Sequence, residues 1–157
     1  MVEEVKKTRA TKQQKRDYVF AIGRRKEAVA RVRLYADKDS VMWDETEVKK
    51  GEMYVNAKPI AEYFGGDTSR YLYSEPFRVT NTQNKYIITV RVVGGGPSGQ
   101  LQATVTGIAN ALDALDTDKH RAILKKKGFL TRDARVRERR KVGTGGKARR
   151  KKQSPKR

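Results

Sequence analysis

KYIITVRVVGGGPSGQLQATVTGIANALDAL, residues 85–115, is the stretch on which the fold turns. Residues 85–93 alternate with a period of two, placing Tyr86, Ile88, Val90 and Val92 on one side. Both sides of this run are apolar, which predicts a central strand. After residue 97 the period changes. Leu101, Val105, Ile108, Ala109, Leu112 and Leu115 recur at helical spacing and predict an amphipathic helix over 98–115, with Ser98 as N-cap. Between strand and helix lies GGGPSGQ, 94–100. Glycine-rich turns before helices can hold phosphate, so a nucleotide pocket must be weighed. A P-loop is excluded, because Gly99 is followed by Gln100 and Leu101 rather than by lysine and a hydroxyl. A dinucleotide pattern fits formally through Gly94, Gly96 and Gly99, but no series of strand–helix units surrounds it. The favoured role of these glycines is to turn a strand sharply into a helix packed on the sheet. An anion contact at the helix start is compatible with that role.

Upstream, DYVFAIG (17–23) and AVARVRLY (28–35) predict two more strands. The second alternates Ala28, Ala30, Val32 and Leu34 against Arg31 and Arg33, a half-buried strand with a basic open face. The intervening GRRKE, 23–27, predicts a turn with Arg24, Arg25 and Lys26 at its tip. Residues 36–52, polar and mixed in charge, predict a long loop or hairpin excursion carrying Trp43. A short strand at 53–56, a turn at Pro59 and a short helix at 60–64 follow. Another short helix is expected to be capped by Asp67 or Thr68 and to end before Pro76. Downstream, a helix over 118–127 is capped by Asp116 or Thr117, stops at Gly128 and carries Lys125, Lys126 and Lys127 in its last turn. Strands and helices in this mixture predict an α+β body.

Charge divides the 157 residues more sharply than hydropathy does. The net charge is +19, yet 17–133 holds only +4 of it. Residues 1–16 carry six bases against two acids, and residues 134–157 carry twelve bases against one. The expected organisation is a basic N-terminal extension, a globular body over 17–133 and an extended basic tail over 134–157. The tail has too little apolar surface to offset its ordering entropy and no aromatic residue for base stacking, which leaves phosphate contact. A polyanion is the implied partner, nucleic acid rather than membrane, since no apolar run approaches the roughly 20 residues of a membrane span. The chain has no cysteine and one histidine, so no disulfide, thiolate metal site or other metal centre is expected. Asp113, Asp116 and Asp118 near His120 fit helix ends and caps better than acid–base chemistry. No catalytic residue, metal or cofactor is expected, and the early sequence has no hydrophobic signal core, in keeping with a cytoplasmic protein.

GRRKEAVARV (23–32), VNAKPIAEYF (55–64), GGGPSGQ (94–100), KKKGFLTRDAR (125–135), KARR (147–150) and the terminal Lys156–Arg157 resemble, in order and spacing, the family of the ninth protein of the small ribosomal subunit in its bacterial form. The resemblance implies a mixed sheet with helices packed on one face, related to the second domain of the fifth small-subunit protein and containing a left-handed βαβ crossover. It implies a structural role in translation, as one copy in a particle rather than a homo-oligomer. The expected partners are the ribosomal RNA of the small-subunit head, neighbouring ribosomal proteins and the anticodon arm of P-site transfer RNA. Carried over by position, Arg24, Arg25, Lys26, Arg31 and Arg33 would face ribosomal RNA. Arg132, Arg135, Arg137, Arg139, Arg140, Lys141, Lys147, Arg149, Arg150, Lys151 and Lys152 would follow RNA along the tail, and Lys156 and Arg157 would contact transfer RNA. The sequence departs from the family pattern at Ala134, where proline is usual, and before Lys156, where an aromatic residue is frequent. Two rivals stand beside this reading. One is the protein subunit of a transfer-RNA-processing ribonucleoprotein enzyme, which would carry an arginine-rich helix that 98–115 lacks. The other is a general nucleic-acid compaction protein.

Overall fold

The computed structural model describes residues 17–144, 146, 148 and 149. The described chain runs β1 (Val19–Arg25), β2 (Ala28–Tyr35), β3 (Ser40–Trp43), β4 (Thr46–Lys49), β5 (Met53–Val55), β6 (Lys58–Pro59), α1 (Ile60–Tyr63), α2 (Asp67–Thr80), β7 (Ile87–Val93), α3 (Pro97–Leu115) and α4 (Thr117–Lys126). The strand, glycine turn and helix expected over 85–115 are β7, the turn and α3. Five strands form one sheet in the order β1-β2-β7-β5-β6. Strand β7 pairs antiparallel with β2 and parallel with β5, which makes the sheet mixed. Helices α1 and α2 form the crossover between the parallel pair.

Alternation explains which way the sheet faces. Ala28, Ala30, Val32 and Leu34 of β2 and Ile88, Val90 and Val92 of β7 are buried on one side. They share a core with Ile60 and Phe64 near α1, Tyr73 and Phe77 of α2, Ile108 and Leu112 of α3, and Leu124 of α4. All four helices therefore cover the same face, as the family resemblance implied. Glycine permits the closest of these contacts. A Cβ at Gly23 of β1 would collide with the Ala103 carbonyl oxygen and the Gly107 amide of α3. In the turn after β7, Gly94 has φ +75°, and a Cβ there would lie 2.6 Å from the Glu27 carbonyl oxygen. The glycine turn is thus seated on the β1–β2 hairpin.

Several local expectations need correction. The first hairpin turn is only Lys26–Glu27, because β1 continues through Gly23 to Arg25 and pairs Arg25 with Ala28. The excursion at 36–52 takes the second of its two expected forms, a hairpin, β3–β4, whose Val48 is buried with Tyr35 and Ile87 beneath partly buried Trp43. It covers one end of the sheet face opposite the helices. The turn expected at Pro59 is Asn56–Ala57, both with positive φ, and Pro59 lies in β6. Helix α2 does not stop before Pro76; it continues to Thr80, with Pro76 and Phe77 buried. Burial of Tyr73, Phe77 and Thr80 outweighs the bond that proline removes. Gly66 and Gly96 occupy the N-cap positions of α2 and α3, where Asp67 or Thr68 and Ser98 were expected. Asp116 does cap α4, accepting the Lys119 amide at 3.3 Å.

Candidate nucleic-acid interface

The sheet face without helices is built by the same alternation that builds the core. Phe20, Ile22 and Arg24 of β1, Arg31 and Arg33 of β2, and Arg91 and Val93 of β7 are exposed on it. Register assembles them into rows: Phe20 lies opposite Arg33, Ile22 opposite Arg31, and Arg31 opposite Arg91. Like charges placed directly across a strand pair destabilise a sheet. Among the described residues no carboxylate pairs with Arg24, Arg31, Arg33 or Arg91. The Arg33 guanidinium instead lies 5.3 Å from the centroid of the Tyr18 ring. The result is a cationic surface interrupted by exposed apolar side chains, suited to a backbone of phosphates with unpaired bases between them. Sequence reading missed Arg91, which stands as the one charged residue of β7. Only the β2–β7 register puts it beside Arg31.

The three cations expected together at the hairpin tip are separated. Lys26 alone occupies the tip, with φ +52°. Arg24 is on the open face. Arg25 points to the helical side, and its side chain is only 11% exposed. Its guanidinium donates from Nε to Gln102 Oε1 at 2.8 Å and from Nη1 to the Arg135 carbonyl at 2.7 Å. Its Nη2 lies 2.9 Å from Asp133 Oδ2.

The chain enters the tail through a built exit. The Phe129 amide bonds the Leu124 carbonyl at 3.1 Å, closing the end of α4, and Phe129 and Leu130 pack against the main core. Arg132 and Arg24 flank an open cleft of about 250 Å³, also lined by Ile22, Thr106, Asn110 and Leu130. Asn110 Nδ2 donates to the Ile22 carbonyl at 3.0 Å, satisfying part of the exposed edge of β1. Arg135 folds back onto Asp133, with Nη2 2.6 Å from Oδ2. Hydrogen bonds from the Arg135 side chain and amide, with the Arg25 charge behind them, hold the Asp133 carboxyl far below the usual carboxylate range. Arg137, Arg139, Arg140 and Lys141 are exposed on a segment with neither helix nor strand. Glu138 accepts from Arg149 at 2.9 Å, and Lys141 lies 3.8 Å from it. Lys147, Arg150, Lys151, Lys152, Lys156 and Arg157 lie outside the described residues, as does the extension 1–16.

The other candidate chemistries resolve into packing. Gln100 Nε2 donates to the Gly94 carbonyl at 3.1 Å, and Gln100 Oε1 accepts from the Tyr63 hydroxyl at 3.0 Å. These bonds tie the glycine turn to α1. Asp113 pairs with Arg121 at 2.9 Å, and Asp116 pairs with Lys119 at 2.7 Å. The hydrogen bond from Lys119 is the main cause of the lowered Asp116 pKa. His120 is buried beside these helix ends. No cluster able to hold a metal occurs among the described residues, and no described helix is long and apolar enough to cross a membrane.

Known proteins resemble this chain in sequence over most of its length. Residues 23–157 match the family model described as ribosomal protein S9/S16. Over 123 residues the chain is 43% identical to the small ribosomal subunit protein uS9 of Renibacterium salmoninarum, covering 78% of this chain and 66% of that one. Its counterpart from Leifsonia xyli is 44% identical over the same length and the same shares. The uS9 protein of Maridesulfovibrio salexigens is 43% identical over 131 residues, covering 83% of this chain and 91% of that one. The match thus spans just under two thirds of the first two relatives and nearly all of the third.

Proposed function

This chain belongs to the ribosomal protein S9/S16 family, and on that premise we propose that it is a structural constituent of the small ribosomal subunit, acting by binding and positioning RNA rather than by catalysis. Its body binds ribosomal RNA of the subunit head through the open sheet face. Its tail follows that RNA, and Lys156 and Arg157 meet the anticodon arm of P-site transfer RNA. The observation that carries this reading is the group of four arginines on one sheet face, with Arg31 directly opposite Arg91 and, among the described residues, no carboxylate paired with either. Such a face gains when a polyanion neutralises it and condensed counterions are released. The apolar Phe20, Ile22 and Val93 between the arginines give unpaired bases a surface to rest on.

The family match also weighs against the two rivals. An RNA-processing enzyme would need its basic helix, and α3 carries none of the arginines. A compaction protein would treat DNA and ribosomal RNA alike. The test is the salt dependence of binding to a head-domain ribosomal RNA fragment. Replacing Arg31 and Arg91 by threonine is expected to make the slope of log affinity on log salt shallower by about 1.4–1.8 for two lost phosphate contacts. An unchanged slope rejects the sheet face as the RNA site, and equal affinity for duplex DNA of the same length favours the compaction rival.

A further inference from the structure

We infer that Arg25, Gln102, Asp133 and Arg135 form a latch that fixes the direction in which the basic tail leaves the body. The functional half of this inference rests on the tail engaging RNA as proposed above; the latch itself is a property of the free chain.

Three separate parts of the sequence converge on one guanidinium. Arg25 ends β1, Gln102 stands on α3, and Asp133 and Arg135 begin the tail. Gln102 and Arg135 are 77 and 110 residues from Arg25, and Asp133 lies just before Arg135 in the chain. Each contact uses a different nitrogen of the guanidinium, so Arg25 is held in one orientation. The planar fork of arginine suits this; a lysine could supply the charge but not three directed donors. Exposure of the side chain at 11% also separates Arg25 from the open-face arginines, since little of it is free for a phosphate.

Asp133 sits where a carboxylate has the greatest effect on the path of the chain. It is the only acid between Asp118 and Glu138, a span otherwise rich in cations. Two residues earlier, the Thr131 amide makes the last backbone bond of the exit, to Gly128 at 3.3 Å. From Arg132 to Lys141 no helix or strand restrains the backbone. Without the latch, the tail would swivel about Leu130, and like charge on the neighbouring Arg24 and Arg132 would push it outward. With the latch, two guanidinium groups hold the Asp133 carboxylate and Arg25 grips the next backbone carbonyl but one, at Arg135. The chain is therefore clamped on both sides of Ala134. An anchored root raises the effective concentration of the tail along one direction, which strengthens binding without adding a contact. Arg25 and Asp133 are positioning residues, distinct from the arginines that meet phosphate.

The chain has no native cysteine, so spin labels can be placed at Thr68→Cys on α2 and Arg139→Cys on the tail without competition. The distance distribution between the two labels in the full free chain is expected to show a narrow peak. Arg25→Ala and Asp133→Asn are each expected to abolish that peak while far-ultraviolet circular dichroism stays parental. Arg25→Lys is expected to restore it only in part. Should either variant fail to fold, Gln102→Ala, which removes one latch contact at the surface, serves in its place with the same expected broadening. A peak unchanged in the variants, or absent already in the parent, overturns the latch. In reconstituted small subunits, Arg25→Ala is expected to enter at the parental level and to weaken P-site transfer RNA binding about ten-fold, comparable to losing one charged hydrogen bond. Parental transfer RNA binding in such subunits overturns the functional half. If neither parent nor variant enters subunits, the ribosomal assignment fails, and the distance measurement still decides the latch.

Discussion

At Gly23 the backbone of β1 touches the backbone of α3, and no side-chain rearrangement can make room for a methyl group. Gly23→Ala is expected to cost about 1–3 kcal/mol or more by forcing strand and helix apart. Urea unfolding would show this as a lower midpoint at an unchanged slope. Asp133 gives a second prediction, in pH. Its pKa in the folded chain is depressed by Arg135 and Arg25, so its contribution is present above the ordinary carboxylate pKa of about 3.9 and is lost only as pH falls through the lower folded value. The tail root is therefore expected to keep its narrow distance distribution at pH 4, where an unpaired aspartate would be about half protonated. Broadening between pH 5 and 4 would show that the guanidinium partners are not in place. The neighbours Arg24 and Arg25 also show what one sequence can and cannot disclose. A period of two sends them to opposite faces, and that alternation was readable once β1 was known to reach Arg25. Placing the strand end two residues early put both in a turn. The partners of Arg25 obey no local period, so nothing near residue 25 announces them.

Among the elements, those with long, regular patterns were legible and those decided by tertiary contact were not. Strands β2 and β7 and helix α3 follow from periodicity alone, because each buries one complete face. Helix α2 was expected to be short, since proline removes an amide and crowds the preceding turn. It continues because Phe77, just past the proline, is needed in the core. The β3–β4 hairpin carries few apolar residues, and only the neighbouring Tyr35 and Ile87 explain why Val48 and Trp43 turn toward the sheet. The β2–β7 pair yields a prediction of opposing effects. Arg91→Thr removes the repulsion with Arg31 and introduces a good strand former, so the free chain is expected to gain roughly 0.2–1 kcal/mol. The same change removes a cation from the open face and is expected to weaken RNA binding. A variant that melts lower than the parent would show that the two guanidinium groups do not repel one another.

For the molecule as a whole, charge and burial are assigned to different regions. Residues 17–133 carry a net +4 and the whole of the core cluster found among the described residues; residues 134–157 carry +11, and none of their described residues joins that cluster. The uneven charge is read directly from composition, with no need of the fold. The open sheet face was only half legible: Arg31 and Arg33 declare themselves by alternation, while Arg91 needs the strand order. Removing Lys156 and Arg157 is expected to leave subunit assembly intact and to weaken P-site transfer RNA binding, measured on purified subunits by filter retention at fixed magnesium. Unchanged binding would remove the terminal pair from the proposed contact. The glycine contact between β1 and α3 has one more consequence, for the time during which the chain is being made. Gly23 and Gly107 are 84 positions apart. At about 5–20 residues per second, the first hairpin waits roughly 4–17 s for the helix that covers it. Throughout that interval its alanine and valine row faces water on a nascent chain, an exposed surface that a holding chaperone can recognise until α3 emerges.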